Sequence, residues 1–76
     1  MTDEYLLNSK IKESGYRLGY LAGRLNLSRA GLYNKINGKT EFLASEIQAL
    51  SDILKLDGKE REKIFFNKKV DKMSTN

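Results

Sequence analysis

The chain has 76 residues and a formal net charge of +4, room for one small domain that packing alone must hold, because it contains no Cys. With neither Cys nor His it lacks the usual ligands of zinc, and no apolar run nears the roughly 20 residues of a membrane span. A zinc finger, a disulfide scaffold and a membrane-spanning helix are thereby excluded, and the expectation is a soluble, unprocessed chain suited to a reducing cytoplasm.

The chain has no Pro, so Gly15, Gly38 and Gly58 with their polar neighbours provide the punctuation. Between Glu4 and Ser14, Leu7 and Ile11 lie four apart with Tyr5 and Leu6 nearby, which predicts an amphipathic helix closed by Gly15. Leu18, Leu21, Ala22 and Leu25 follow the i, i+3, i+4, i+7 pattern of one buried face and predict a short second helix. Asn26 follows, the residue type that best tolerates a left-handed helix exit after glycine. Ser28 then caps a third helix whose inward contacts are Leu32 and Ile36 and whose end is Asn37-Gly38. Ile47, Leu50 and Leu54, with Ile53 beside them, predict a fourth helix, and Ser45 with Gln48 reads as its capping box. Asp57 and Glu60 repeat that capping logic ahead of Ile64, Phe65 and Phe66 in a fifth. No stretch alternates as a strand would, and there is no internal repeat. The expected architecture is all-α, with five helices in a domain over residues 1–67 and a polar, frayed tail over 68–76. In that tail Val70 and Met73 continue a helical spacing from Phe66, enough for another turn if a partner supplies a surface.

Charge is unevenly spread. From Lys10 to Lys39 the bases Lys10, Lys12, Arg17, Arg24, Arg29, Lys35 and Lys39 face the single acid Glu13. From Lys55 to Lys72 the two signs are closer to balance, and the remaining residues carry acids only. Such a locally basic segment is the electrostatic footprint of a polyanion-binding surface; it is also compatible with a merely solvated face.

The basic segment coincides with two short helices joined by a tight turn, the physical description of a DNA-binding helix-turn-helix. Ala22 stands where the helices would cross, and its small side chain permits a close approach; Asn26, Leu27 and Leu32 follow at offsets of four, five and ten. The segment Leu18 to Lys39, LGYLAGRLNLSRAGLYNKINGK, resembles the phage repressor and Cro-like branch of the helix-turn-helix regulators, in which Leu-Ala, a turn, an apolar-Ser pair and Asn-Gly-Lys recur. The likeness extends loosely from Tyr5 to Phe66 and implies a compact five-helix, lambda-repressor-like domain. The chain departs from the pattern at Asn26, where Gly is usual, at Arg17-Leu18, where a polar cap followed by Gln is common, and at Ile36, four rather than three residues after Leu32.

The resemblance implies that the start of the third helix enters the major groove of an operator duplex, with Ser28, Arg29, Ala30, Tyr33 and Asn34 facing it. Arg29 has the donors for guanine O6 and N7, Asn34 matches adenine N6 and N7, and Ala30 suits a thymine methyl. Tyr33 has two readings, a ring packed on thymine or sugar, or partial burial in the core. Ser28 is assigned to phosphate. Lys39 and Thr40, after the helix, are the expected phosphate anchors, joined by Arg17 and Arg24 at the ends of the second helix; for Arg24 a plain exposed face is an equal reading. Lys35 is expected to lay its stem on apolar surface and keep its ammonium wet. Gly31, in mid-helix, leaves open a close contact with the second helix or with DNA, or no role.

Phe65 and Phe66 point two ways around a helix, so one or both are candidate dimer contacts; the other reading packs both against the first and fourth helices. The expected function is a sequence-specific, DNA-binding transcriptional regulator of the Cro or repressor type in a bacterial host, a homodimer at least on DNA. The alternative is an antirepressor that binds a partner repressor through the same fold. An enzyme is not expected, because no spacing of Ser, Lys and carboxylates pairs a nucleophile with a base, and neither a cofactor nor a metal is implied.

Overall fold

A computed structural model describes residues 1–67, and the expectations for residues 68–76, including the Val70 and Met73 spacing, lie outside them. Five helices follow in order, α1 (Glu4–Ser14), α2 (Leu18–Arg24), α3 (Arg29–Ile36), α4 (Ala44–Ile53) and α5 (Gly58–Phe65), and no strand occurs among the described residues.

Each helix starts and stops for a local reason. The Leu6 N–H donates to the Asp3 carboxylate at 3.0 Å, which caps α1, with Glu4 in its first turn and Lys12 in its last to complement the helix dipole. Gly15 ends it at φ 77°. For α5 the capping box is present as expected: the Glu60 N–H donates to Asp57 Oδ1 at 2.8 Å and the Asp57 N–H to Glu60 Oε1 at 3.0 Å.

The start of α4 differs from expectation. Its N-cap is Leu43, not Ser45, and the Leu43 N–H donates to Glu46 Oε1 at 2.8 Å. Gln48 is not part of the cap, because its amide instead reaches the Asp52 carboxylate one turn on, at 3.0 Å. Leucine has no acceptor to offer the helix amides, so the carboxylate at the third helical position closes the cap from one side only.

Three of the helices end in the same paired arrangement. After α2 the Leu27 N–H reaches back to the Ala22 carbonyl at 2.9 Å and Asn26 N–H to Gly23 at 3.2 Å; after α3 the Lys39 N–H reaches Asn34 at 2.9 Å and Gly38 N–H reaches Lys35 at 3.2 Å. After α4 the Leu56 N–H reaches Ser51 at 2.9 Å and Lys55 N–H reaches Asp52 at 3.2 Å. These are Schellman closures, and each needs a left-handed residue. Asn26 (φ 59°) and Gly38 (φ 79°) supply it with suitable chemistry, whereas Lys55 (φ 57°) does so against the preference of its side chain.

One core joins all five helices and the segment before α4: Leu7, Leu21, Ala22, Leu25, Leu32, Ile36, Phe42, Leu50, Ile64 and Phe65 are buried together. The Phe42 and Phe65 rings meet edge to face with centroids 5.3 Å apart. The ends of the described chain are tied to each other as well. Asp3 N–H donates to the Ile64 carbonyl at 2.6 Å, and Asn67 N–H to the Met1 carbonyl at 3.0 Å. No described helix is long and apolar enough to cross a membrane.

Candidate nucleic-acid interface

The α2–α3 unit is built from inside outward. Leu21 and Ala22 on α2 face Leu32 and Ile36 on α3 within the core. The left-handed Asn26 reverses the chain within the short span from Leu25 to Ser28. The Ser28 hydroxyl oxygen then accepts from the Gly31 N–H at 2.9 Å, capping α3. This contact also accounts for Gly31: a Cβ there would lie 3.0 Å from the Ser28 oxygen, so the glycine leaves room for the cap rather than for α2. The Ser28 oxygen is committed as an acceptor, but its proton remains available to a phosphate.

With Leu32 and Ile36 turned inward, α3 presents its other side to solvent. Arg29 and Ala30 are exposed, Asn34 is half-buried, and Tyr33 is 55% exposed, which decides against its burial in the core. Ile36, the residue out of step with the resemblance, is buried beside Leu32. A spacing of four keeps both on one helical face.

The flanking positions bracket this surface. Arg17 is the N-cap residue of α2 and makes no side-chain cap bond. Together with Leu18, Gly19, Tyr20 and Arg29 it lines an open recess of about 420 Å³, so the first residue of α3 and the start of α2 share one concavity. At the other end of α3, Gly38 turns the chain and leaves Lys39 and Thr40 exposed. Arg24 is held in place: its Nη1 donates to the Tyr20 hydroxyl at 2.8 Å, and its guanidinium carbon sits 5.8 Å from the ring centre. Tyr20 in turn stacks on Tyr16 with centroids 5.0 Å apart. Sequence reading passed over these two tyrosines, although the i, i+4, i+8 row of Tyr16, Tyr20 and Arg24 was there to be seen.

Lys35 corrects the sequence expectation. Its ammonium is paired and not left to solvent alone. It donates to Glu46 Oε1 at 2.9 Å and to the Glu41 carbonyl at 3.0 Å, and both charged side chains are largely buried. Burial pushes the Glu46 carboxyl up, but the Leu43 amide and the Lys35 ammonium outweigh it, leaving Glu46 below the ordinary carboxylate range. Lys10 is also neutralised locally, by Glu60 at 2.6 Å and Glu13 at 3.9 Å. The hydrogen bond to Glu60 raises the Lys10 pKa and lowers that of Glu60. Of the bases between Lys10 and Lys39, Lys12, Arg17, Arg24, Arg29 and Lys39 have no acidic partner among the described residues, and neither have Lys55, Lys59, Arg61 and Lys63 further along the chain. The first turns of α2 and α3 contain no acid, whereas α1, α4 and α5 carry Glu4, Glu46 and Glu60 there. The positive ends of the two helix dipoles beside Arg17 and Arg29 are thus left uncompensated.

Of the aromatic pair at the end of α5, Phe65 is 4% exposed and spent on Phe42, which removes it as a surface contact of the folded chain. Phe66 is 45% exposed and borders a second recess of about 300 Å³ with Ala44, Ile47, Gln48, Arg61 and Glu62. Comparison of the chain with protein-family models, with curated proteins and with solved structures finds no match.

Proposed function

We propose that the chain is a sequence-specific, double-stranded-DNA-binding regulator of the phage repressor or Cro type, its helix-turn-helix formed by α2 and α3 in a lambda-repressor-like domain. The observation that carries this reading is the exposed side of α3. Arg29, Ala30 and Tyr33 stand clear of the core there, flanked by Arg17 on one side and by Lys39 and Thr40 on the other, with no acid among the described residues paired to any of these bases.

In this reading Arg29 and Asn34 read base edges and Ala30 touches a thymine methyl, while the ring of Tyr33 packs on thymine or sugar. Arg17, Ser28, Lys39 and Thr40 hold phosphates, and Arg24, pre-oriented by Tyr20, adds a further phosphate contact at the edge. The uncompensated N-termini of α2 and α3 favour the same anionic partner. Two copies on one duplex would pair through the surface around Phe66, Phe65 being unavailable. Selection of bound sites from a pool of randomised duplexes tests the reading. The expected product is an inverted repeat whose half-sites are centred about 10 base pairs, or a multiple, apart. A pool without enrichment after repeated rounds at low salt would contradict it.

A further inference from the structure

Lys35 sits within the basic segment but not on its exposed surface, and its contacts reach across sequence to the piece of chain that carries the expected phosphate anchors. After the Schellman closure at Gly38 and Lys39, the backbone amides of Thr40, Glu41 and Phe42 make no hydrogen bond to another backbone group among the described residues. The chain is next fixed at Leu43, whose N–H donates to Glu46. Between those points two attachments hold it among the described residues: the Phe42 ring in the core, and the Glu41 carbonyl on Lys35 Nζ. The same ammonium is bonded to the Glu46 oxygen that holds Leu43. One cation on α3 therefore pins the middle of the segment directly and its far end through a carboxylate.

We infer that Lys35 is a positioning residue: bridging Glu41 and Glu46, it clamps residues 40–43 to α3 and fixes where Thr40 stands relative to the reading face, Lys39 being already tied by its own N–H to the Asn34 carbonyl. Its side chain is about 14% exposed and two of its three donors are already engaged, so it acts through the segment and does not itself touch a phosphate. The clamp gives rigid geometry to contacts that set register on a duplex, and in that respect the inference rests on the reading proposed above.

Removing the ammonium alone would strand a buried carboxylate and unfold the start of α4. The informative variant is therefore the neutral pair Lys35→Met with Glu46→Gln, which keeps the apolar stem and an acceptor for the Leu43 amide. Backbone 15N relaxation on the free, full-length protein is the first measurement. The order parameters of Thr40 and Glu41 are expected to fall from about 0.85 to below about 0.6, with residues 30–36 unchanged. Unchanged values at Thr40 and Glu41 would overturn the clamp.

The second measurement is the affinity for the selected duplex. Thr40→Val should weaken binding several-fold in the parent and by less than half as much, on a logarithmic scale, in the neutral pair, because a mislocated Thr40 has little left to lose. Equal losses in both backgrounds would show that Thr40 does not depend on Lys35, and would sink the inference. If the parent binds no duplex, the proposed function falls, and the relaxation data alone decide the clamp.

Discussion

The two sides of this small domain differ in where they carry acids. Where α1 meets α5, both helices hold glutamates, Lys10 lies on Glu60, and Asp3 ties the first helix to the Ile64 backbone and the Asn67 side chain, although Lys12, Lys59, Arg61 and Lys63 on these helices make no ion pair among the described residues. Where α2 meets α3, neither helix holds an acid, and Arg17, Arg29 and Lys39 stand exposed without an acidic partner among the described residues. Exposed pairs contribute little to stability, so the difference says less about what holds the fold than about what each surface is left free to meet. Lys35 marks the border between the two, since it belongs to α3 by position and is paired with an acid of α4, Glu46.

That contrast is one of surfaces and not of cores, and the largest expected effect tests this. Leu32→Ala on α3 should cost about 2 to 5 kcal/mol and destabilise the α1–α5 side equally, because both share one core. Urea unfolding followed by amide exchange checks it, and retained protection of Leu7 and Ile64 in a variant with α3 unfolded would divide the molecule into two units. Next come the matched caps. Ser28→Ala and Asp57→Ala should each lower stability by about 1 kcal/mol in thermal melts, but only the former should also weaken duplex binding. Equal binding losses would erase the distinction between the two sides.

A smaller effect compares two left-handed turns. Lys55→Gly should stabilise the fold by about 0.5 to 1 kcal/mol by relieving a left-handed backbone that a Cβ disfavours, while Asn26→Gly should change little. Chemical denaturation measures both, and a destabilised Lys55→Gly variant would show that the lysine earns its place through contacts. The smallest effect belongs to the Lys10–Glu60 pair. Glu60 titrates below its ordinary value of 4.5 in the fold, so its contribution is complete above about that pH and is lost as pH falls through the lowered value. Glu60→Gln should flatten that part of the acid limb of a stability–pH curve, and an identical limb in both proteins would remove the pair from the account.

Local chemistry made most of the helices legible in advance. Gly15, Asn26, Ser28, Gly38 and the Asp57–Glu60 box mark ends that follow from backbone conformation and side-chain capping, and these depend on neighbours in sequence. What escaped depends on neighbours in space. Glu46 closes the start of α4 and pairs with Lys35, a residue eleven positions away whose burial no local pattern reveals. Lys55 adopts a left-handed conformation that its residue type does not advertise. The Phe65–Phe66 pair showed that the two rings diverge, but which one turns inward was decided by Phe42 across the core. The exposed bases of the candidate interface were legible because their helix has an unmistakable inner face; their freedom from acids was not.

The claim that the α2–α3 surface meets duplex DNA is most directly tested by recording amide shifts of 15N-labelled protein while a duplex carrying the selected site is added at low salt. The account predicts shifts concentrated at Arg17, Ser28, Arg29, Ala30, Tyr33, Asn34, Lys39 and Thr40, with α5 unmoved and the changes reversed by added salt. Shifts centred on Ile47, Arg61 and Phe66, or none at any position, would contradict it.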